Sequence, residues 1–123
     1  MAVILKKLKS RPLFLRVAST GKHWVTPGFI LQVSVRRLES KDKTMHDEVR
    51  VGYTVSKKVG HAVVRNRVKR RLRAAVEKVF VSEAKSGRDY VLIGRKAAYR
   101  QSFDSLLSDM KWSLKKLDAR IKP

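Results

Sequence analysis

The sequence predicts an α+β fold: a two-layer α/β sandwich with helices packed on one face of a small, mostly antiparallel sheet. Three observations predict it. Residues 29–37 and 49–56 alternate between buried-type and polar side chains, the period of half-covered strands. Residues 61–85 and 103–121 carry apolar side chains at helical spacing. Between them Tyr90 to Ile93 form an apolar run short enough for a buried strand.

The elements follow in order. Residues 1–10 read as a flexible basic arm of a single domain spanning 1–123. Ser10 is placed to cap a first helix, with Pro12 tolerated near its first turn. Phe14, Val17 and Ala18 share one face of that helix, and Gly21 ends it. A short extra strand fits around His23 to Val25. In 29–37, Phe29, Leu31, Val33 and Val35 form one side and Ile30, Gln32, Ser34 and Arg36 the other. Residues 38–48 are a polar loop, and Val49, Val51, Tyr53 and Val55 line one side of the next strand. Ser86-Gly87 stops the long helix. Ser102 caps the last one, whose first turn holds Asp104 and whose end holds Lys115, Lys116, Arg120 and Lys122, as the helix dipole favours.

The charge balance is extreme: 30 Lys+Arg against 10 Asp+Glu in 123 residues, a formal net charge of +20. Self-repulsion of that size is relieved by a polyanion, and nucleic acid, with its closely spaced phosphates, fits better than a membrane surface. The chain has no cysteine, so disulfides and thiolate metal sites are excluded. No apolar run is long enough for a signal sequence or a membrane span. A cytoplasmic protein without membrane association is expected.

The cations concentrate in one place. Residues 57–73, KKVGHAVVRNRVKRRLR, hold eight basic side chains and no acid. At 100° per residue, Val64, Val68, Leu72, Ala75, Val76 and Val79 fall in a sector of about 120° that faces the sheet. Asn66, Arg67, Arg70, Arg71 and Arg73 fall outside it, with Lys69 on the border. The result is a rail of cations on an aliphatically anchored helix. Arg65 falls among the valines. Either the helix starts after it, or it points along a turn at the helix entrance. Lys57, Lys58 and a turn at Gly60 precede the helix N-terminus, whose free N–H groups add partial positive charge. Together these make a phosphate-binding surface.

No protein-borne catalytic site is visible. The acids are scattered, and His23, His46 and His61 lack any metal-ligand spacing. No P-loop or dinucleotide fingerprint occurs.

The segment Ser56-Lys57-Lys58, followed by Gly60-His61-Ala62-Val63-Val64-Arg65-Asn66-Arg67-Val68-Lys69-Arg70, resembles the signature of the bacterial ribonuclease P protein family. Asp89-Tyr90-Val91 is similar to the family's later strand, and the resemblance covers roughly residues 8–118. It implies an α-β-β-β-α-β-α order with a left-handed βαβ crossover holding the R-N-R segment, although right-handed would be the physical default. It implies a catalytic RNA partner that removes the 5′ leader of precursor tRNA with Mg²⁺, with no obligatory protein partner. The RNA contacts it implies are Lys57, Lys58, Arg65, Asn66, Arg67, Lys69, Arg70 and Arg73. Phe14 corresponds to the first aromatic of the leader cleft, and Gln32 stands on the polar strand face where relatives can carry an aromatic. Phe14 as plain core is the competing reading. His61 replaces the usual Asn, and Ala18 stands where some relatives have a second cleft aromatic. Trp112 lies opposite the apolar stripe of the last helix. A structural RNA-binding protein, such as a ribosomal protein, is the alternative function. A self-sufficient nuclease is disfavoured by the missing acid cluster.

Overall fold

The apolar run at Tyr90 becomes the middle of a sheet. In the computed structural model, residues 4–35 and 48–120 are described. The strands are β1 (Ile4–Lys7), β2 (His23–Val25), β3 (Phe29–Val35), β4 (Glu48–Thr54) and β5 (Arg88–Gly94). The helices are α1 (Arg11–Ser19), α2 (Ala62–Glu83) and α3 (Phe103–Arg120), with 3₁₀ turns at Lys57–Val59 and Lys96–Tyr99. From α1 onward this is the expected order, and the α+β class holds. Residues 36 and 37 of the expected strand, most of the polar loop and Ile121 lie outside the described residues.

The sheet order is β1-β4-β5-β3-β2. β3 pairs antiparallel with β5 and with β2, whereas β4 runs parallel to both β5 and β1. The sheet is therefore mixed, not mostly antiparallel. The cause is α2, which carries the chain back so that β5 enters in the same direction as β4. β1 corrects a second expectation. Its lysine content suggested a free arm, yet Ile4–Lys7 pair with Glu48–Val51 along the sheet edge. Backbone pairing is indifferent to side-chain charge, and Leu5 supplies an apolar contact to the core.

Strand alternation sends side chains to two unequal faces. Towards α2 and α3 point Leu31, Val33, Val49, Val51, Tyr90 and Leu92, all buried. They meet Val68, Leu72, Ala75, Val76 and Val79 of α2 and Leu106, Met110, Leu114 and Leu117 of α3. The sector drawn for α2 from its sequence is the one that is buried, except that Val64 at its N-terminal end is only partly covered. Towards the other face point Val91 and Ile93, which pack with Leu8, Leu13, Phe14 and Val17. So α1 lies on the opposite face from α2 and α3, where a one-sided arrangement was expected. The short α1 carries too little periodicity to reveal its side. Ser10 stands at its N-cap, but without a side-chain capping bond. Ser102 does cap α3, accepting from the Ser105 N–H at 3.1 Å.

Beneath α1, Arg50 and Asp89 form a paired contact on neighbouring parallel strands. Nε and Nη2 of Arg50 donate to the two carboxylate oxygens at 2.7 Å each. Asp89 is fully buried, so this bidentate geometry is what makes its charge tolerable there.

Candidate nucleic-acid interface

The candidate surface starts where β4 ends. Lys57 and Lys58 are exposed on the first 3₁₀ turn, and Gly60 (φ +156°) links that turn to α2. A Cβ at Gly60 would lie 3.0 Å from Val64 Cγ1, so the turn packs against the helix closely. His61 is the N-cap of α2 but makes no side-chain capping bond, and the first turn has no acid. The positive end of the helix therefore stands beside two lysines with no acid in its own first turn.

Along α2 the rail separates into distinct roles. Asn66, Arg67, Arg70 and Arg73 are exposed, and Lys69 is partly buried. Arg65 lies within the helix, because α2 already begins at Ala62. The backbone N–H of Arg65 donates to the His61 carbonyl at 3.0 Å, and its side-chain Nε is buried without a hydrogen-bond partner. Arg71 departs from the expectation. It is partly buried, and its guanidinium donates to the carbonyl oxygens of Ala98 and Gln101, tying α2 to the turn before α3. Burial, with Arg67 nearby, lowers its pKa from the ordinary arginine value. Arg67 leans on the same turn: Nε donates to the Tyr99 carbonyl at 3.5 Å, with the guanidinium 5.4 Å from the Tyr99 ring. Arg73 lies 5.7 Å from the Tyr53 ring. Aromatic neighbours of this kind hold guanidinium groups in place while leaving them charged.

The turn that Arg71 clamps carries exposed Lys96 and Arg100, which bring more positive charge to the N-terminal half of α2. Sequence reasoning missed them. The signal was there, since Arg95, Lys96 and Arg100 cluster directly after β5, but only the packing of α2 on this turn joins them to the rail.

On the other face, α1 and the sheet frame a cleft. An added Cβ at Gly52 would lie 2.4 Å from Cζ and 2.6 Å from Cε1 of Phe14. Gly52 thus lets the aromatic ring settle on the sheet. Phe14 remains partly exposed, so it belongs both to the small cluster around Val17 and to the cleft wall. Gly52, Val91, Gln32 and His23 form one row across four strands. Gln32 is partly exposed, two strands and roughly 10 Å from the Phe14 seat. The neighbouring row, Thr54, Ile93, Ile30 and Val25, leaves apolar surface uncovered, with Val25 51% exposed. Ala18 is exposed on α1.

Trp112 is exposed on α3 with the Lys116 ammonium 4.4 Å from its ring centre. Among the described residues no group of three or more His, Asp or Glu could hold a metal ion, and no helix is long and apolar enough to cross a membrane.

The α+β sheet domain thus carries an acid-free cation rail along α2 and a half-open apolar cleft under α1. Comparison with known proteins places the chain in a family. The family model Ribonuclease P matches residues 5–118. A ribonuclease P protein component from Paramagnetospirillum magneticum is 47% identical over 97% of this chain and 87% of its own length. One from Gluconacetobacter diazotrophicus is 44% identical over 98% and 97%. A solved Staphylococcus aureus RNase P protein mutant with defective mRNA degradation activity superposes with a TM-score of 0.71 at 28% identity, over 91% of this chain and 87% of that one. The chain belongs to the ribonuclease P protein family.

Proposed function

We propose that this chain acts as the protein subunit of a ribonuclease P holoenzyme in the cytoplasm. It binds the catalytic RNA through Lys57, Lys58, Arg65, Asn66, Arg67, Lys69, Arg70 and Arg73. It holds the 5′ leader of precursor tRNA in the cleft walled by Phe14, with Gln32 on the floor. The RNA subunit carries the Mg²⁺-dependent hydrolysis. This reading gives the protein binding and positioning, and no step of the chemistry.

The observation that carries this reading is the uncapped, acid-free start of α2 flanked by exposed Lys57, Lys58 and the R-N-R segment. Each exposed cation can replace a condensed counterion on a phosphate. In the cleft, an unpaired leader base can stack on the Phe14 ring, an interaction worth about 1–3 kcal/mol.

The test is an incubation of precursor tRNA at low, near-physiological Mg²⁺ with this protein, with a cognate ribonuclease P RNA, and with both. Cleavage at the mature 5′ end that needs both supports the subunit role. If the pair does no better than the folded RNA alone, the general RNA-binding reading replaces it. Cleavage by the protein alone would move the chemistry onto the chain.

A further inference from the structure

A second concavity opens away from the leader cleft, between edge strand β1 and helix α2. It encloses about 400 Å³, within the range of about 300–1,000 Å³ typical of small-molecule sites. Leu5, Val51 and Val76 give it an apolar floor, and the Tyr53 ring forms a wall. Lys7 and Arg73 supply cations, and Glu77 is the one acid among the lining residues. The feature exists because residues 4–7 are a strand. A free arm would leave α2 with a bare flank and no groove.

The lining has the polarity of a nucleotide. A flat base needs apolar and aromatic surface, and a phosphate needs cations at its edge. Burial keeps the Tyr53 phenol protonated well above its ordinary range; Arg73 opposes that shift and Glu77 adds to it. Tyr53 therefore presents a neutral ring and a hydrogen-bond donor at neutral pH. Glu77 is the informative residue. A carboxylate only accepts hydrogen bonds. On a protein this basic, a lone acid in an anion-friendly groove weakens purely electrostatic binding, so its use lies in reading a base edge. Guanine offers adjacent N1–H and N2–H donors to a carboxylate. Adenine and cytosine offer one amino group, and the uracil N–H lies between two carbonyls that a carboxylate repels.

We infer that this groove binds one unpaired nucleotide of the partner RNA, its phosphate on Lys7 and Arg73 and its base edge on Glu77, with guanine preferred. The inference rests on the RNA-binding reading and deepens it: Arg73 belongs to both the rail and the groove, so an RNA following α2 meets the groove directly.

The test uses the full chain, isotope-labelled, titrated with guanosine and uridine monophosphates and followed through its amide resonances. Guanosine monophosphate should shift Leu5, Lys6, Lys7, Tyr53 and Glu77, and bind more tightly than the uridine nucleotide. Glu77→Gln should weaken the guanosine nucleotide by about tenfold, the loss of charged hydrogen bonds, and leave uridine unchanged. This variant leaves the β1 pairing untouched, so misfolding does not confuse it. Shifts confined to residues 57–73 would overturn the groove. Equal binding of both nucleotides, indifferent to Glu77→Gln, would overturn base reading. Binding of the ribonuclease P RNA separates this from the wider proposal. If the wild type and Glu77→Gln bind that RNA equally, the groove inference falls and the subunit role stands. If the wild type does not bind it, the subunit role falls.

Discussion

On the α2/α3 face of the sheet, Leu31, Val33, Tyr90 and Leu92 are wholly buried under two helices. On the α1 face, one register step away on the same strands, Ile30, Gln32 and Ile93 are only partly covered, and Val25 on neighbouring β2 is half exposed. The same strands thus serve two ends. One face is closed and supplies most of the apolar burial that stabilises the fold. Among the described residues the other is covered by Leu8 and the nine residues of α1, which leave apolar surface exposed.

The sharpest way to break this comparison is to remove a large side chain from each face. Leu72→Ala, on the closed face, should lose about 2–5 kcal/mol of unfolding free energy in urea titrations. Ile93→Ala, facing the cleft, should lose clearly less while weakening precursor tRNA binding. Equal losses would mean that the cleft face is ordinary core. Next in size is an alkaline effect on the closed side. Burial pushes the Tyr90 phenol up to about 12. Its folded pKa thus exceeds the ordinary value near 10, so the contribution is complete below about pH 10 and is lost as pH rises towards 12. Tyr90→Phe should remove that component from the stability-versus-pH curve, and an unchanged curve would count against it.

The rail allows a finer contrast. Arg71→Ala gives up two bonds to buried-side carbonyls and should cost about 1–3 kcal/mol of stability. Arg70→Ala should leave the melting curve in place and instead reduce the salt slope of RNA binding by about 1. Stability losses of the same size in both would erase the distinction between clamp and contact. In the cleft, Phe14→Ala should weaken binding of precursor tRNA by about 1–3 kcal/mol while leaving mature tRNA unchanged. Equal losses for the two RNAs would return Phe14 to a purely structural role.

How legible this was from residues alone varied with the physics of each region. The buried stripe of α2 and the strands at Phe29, Val49 and Tyr90 were readable, because strong periodicity leaves one solution for burial. β1 was not, since a strand held by backbone pairing at a sheet edge has no side-chain period in four residues. Nor was the side on which α1 packs, because topology decides it. The candidate site shows the same division. The dense cations raised the expectation of a polyanion surface, but only the fold separates Arg71, turned inward onto two carbonyls, from Arg70, facing water. The seat of Phe14 on Gly52 joins residues far apart in the chain and is invisible to any local pattern.

The position of β5 has a consequence for how the protein is made. It lies between β4 and β3 and holds the pair β1-β4 to the pair β3-β2. During synthesis those pairs have no common partner until residues 88–94 emerge, and by then the whole of α2 has already been built. The nascent chain therefore carries its polycationic helix before the sheet that anchors it can close. A ribosome halted ahead of β5 would display a basic segment without a native fold, open to any polyanion in reach, the ribosome's own RNA included.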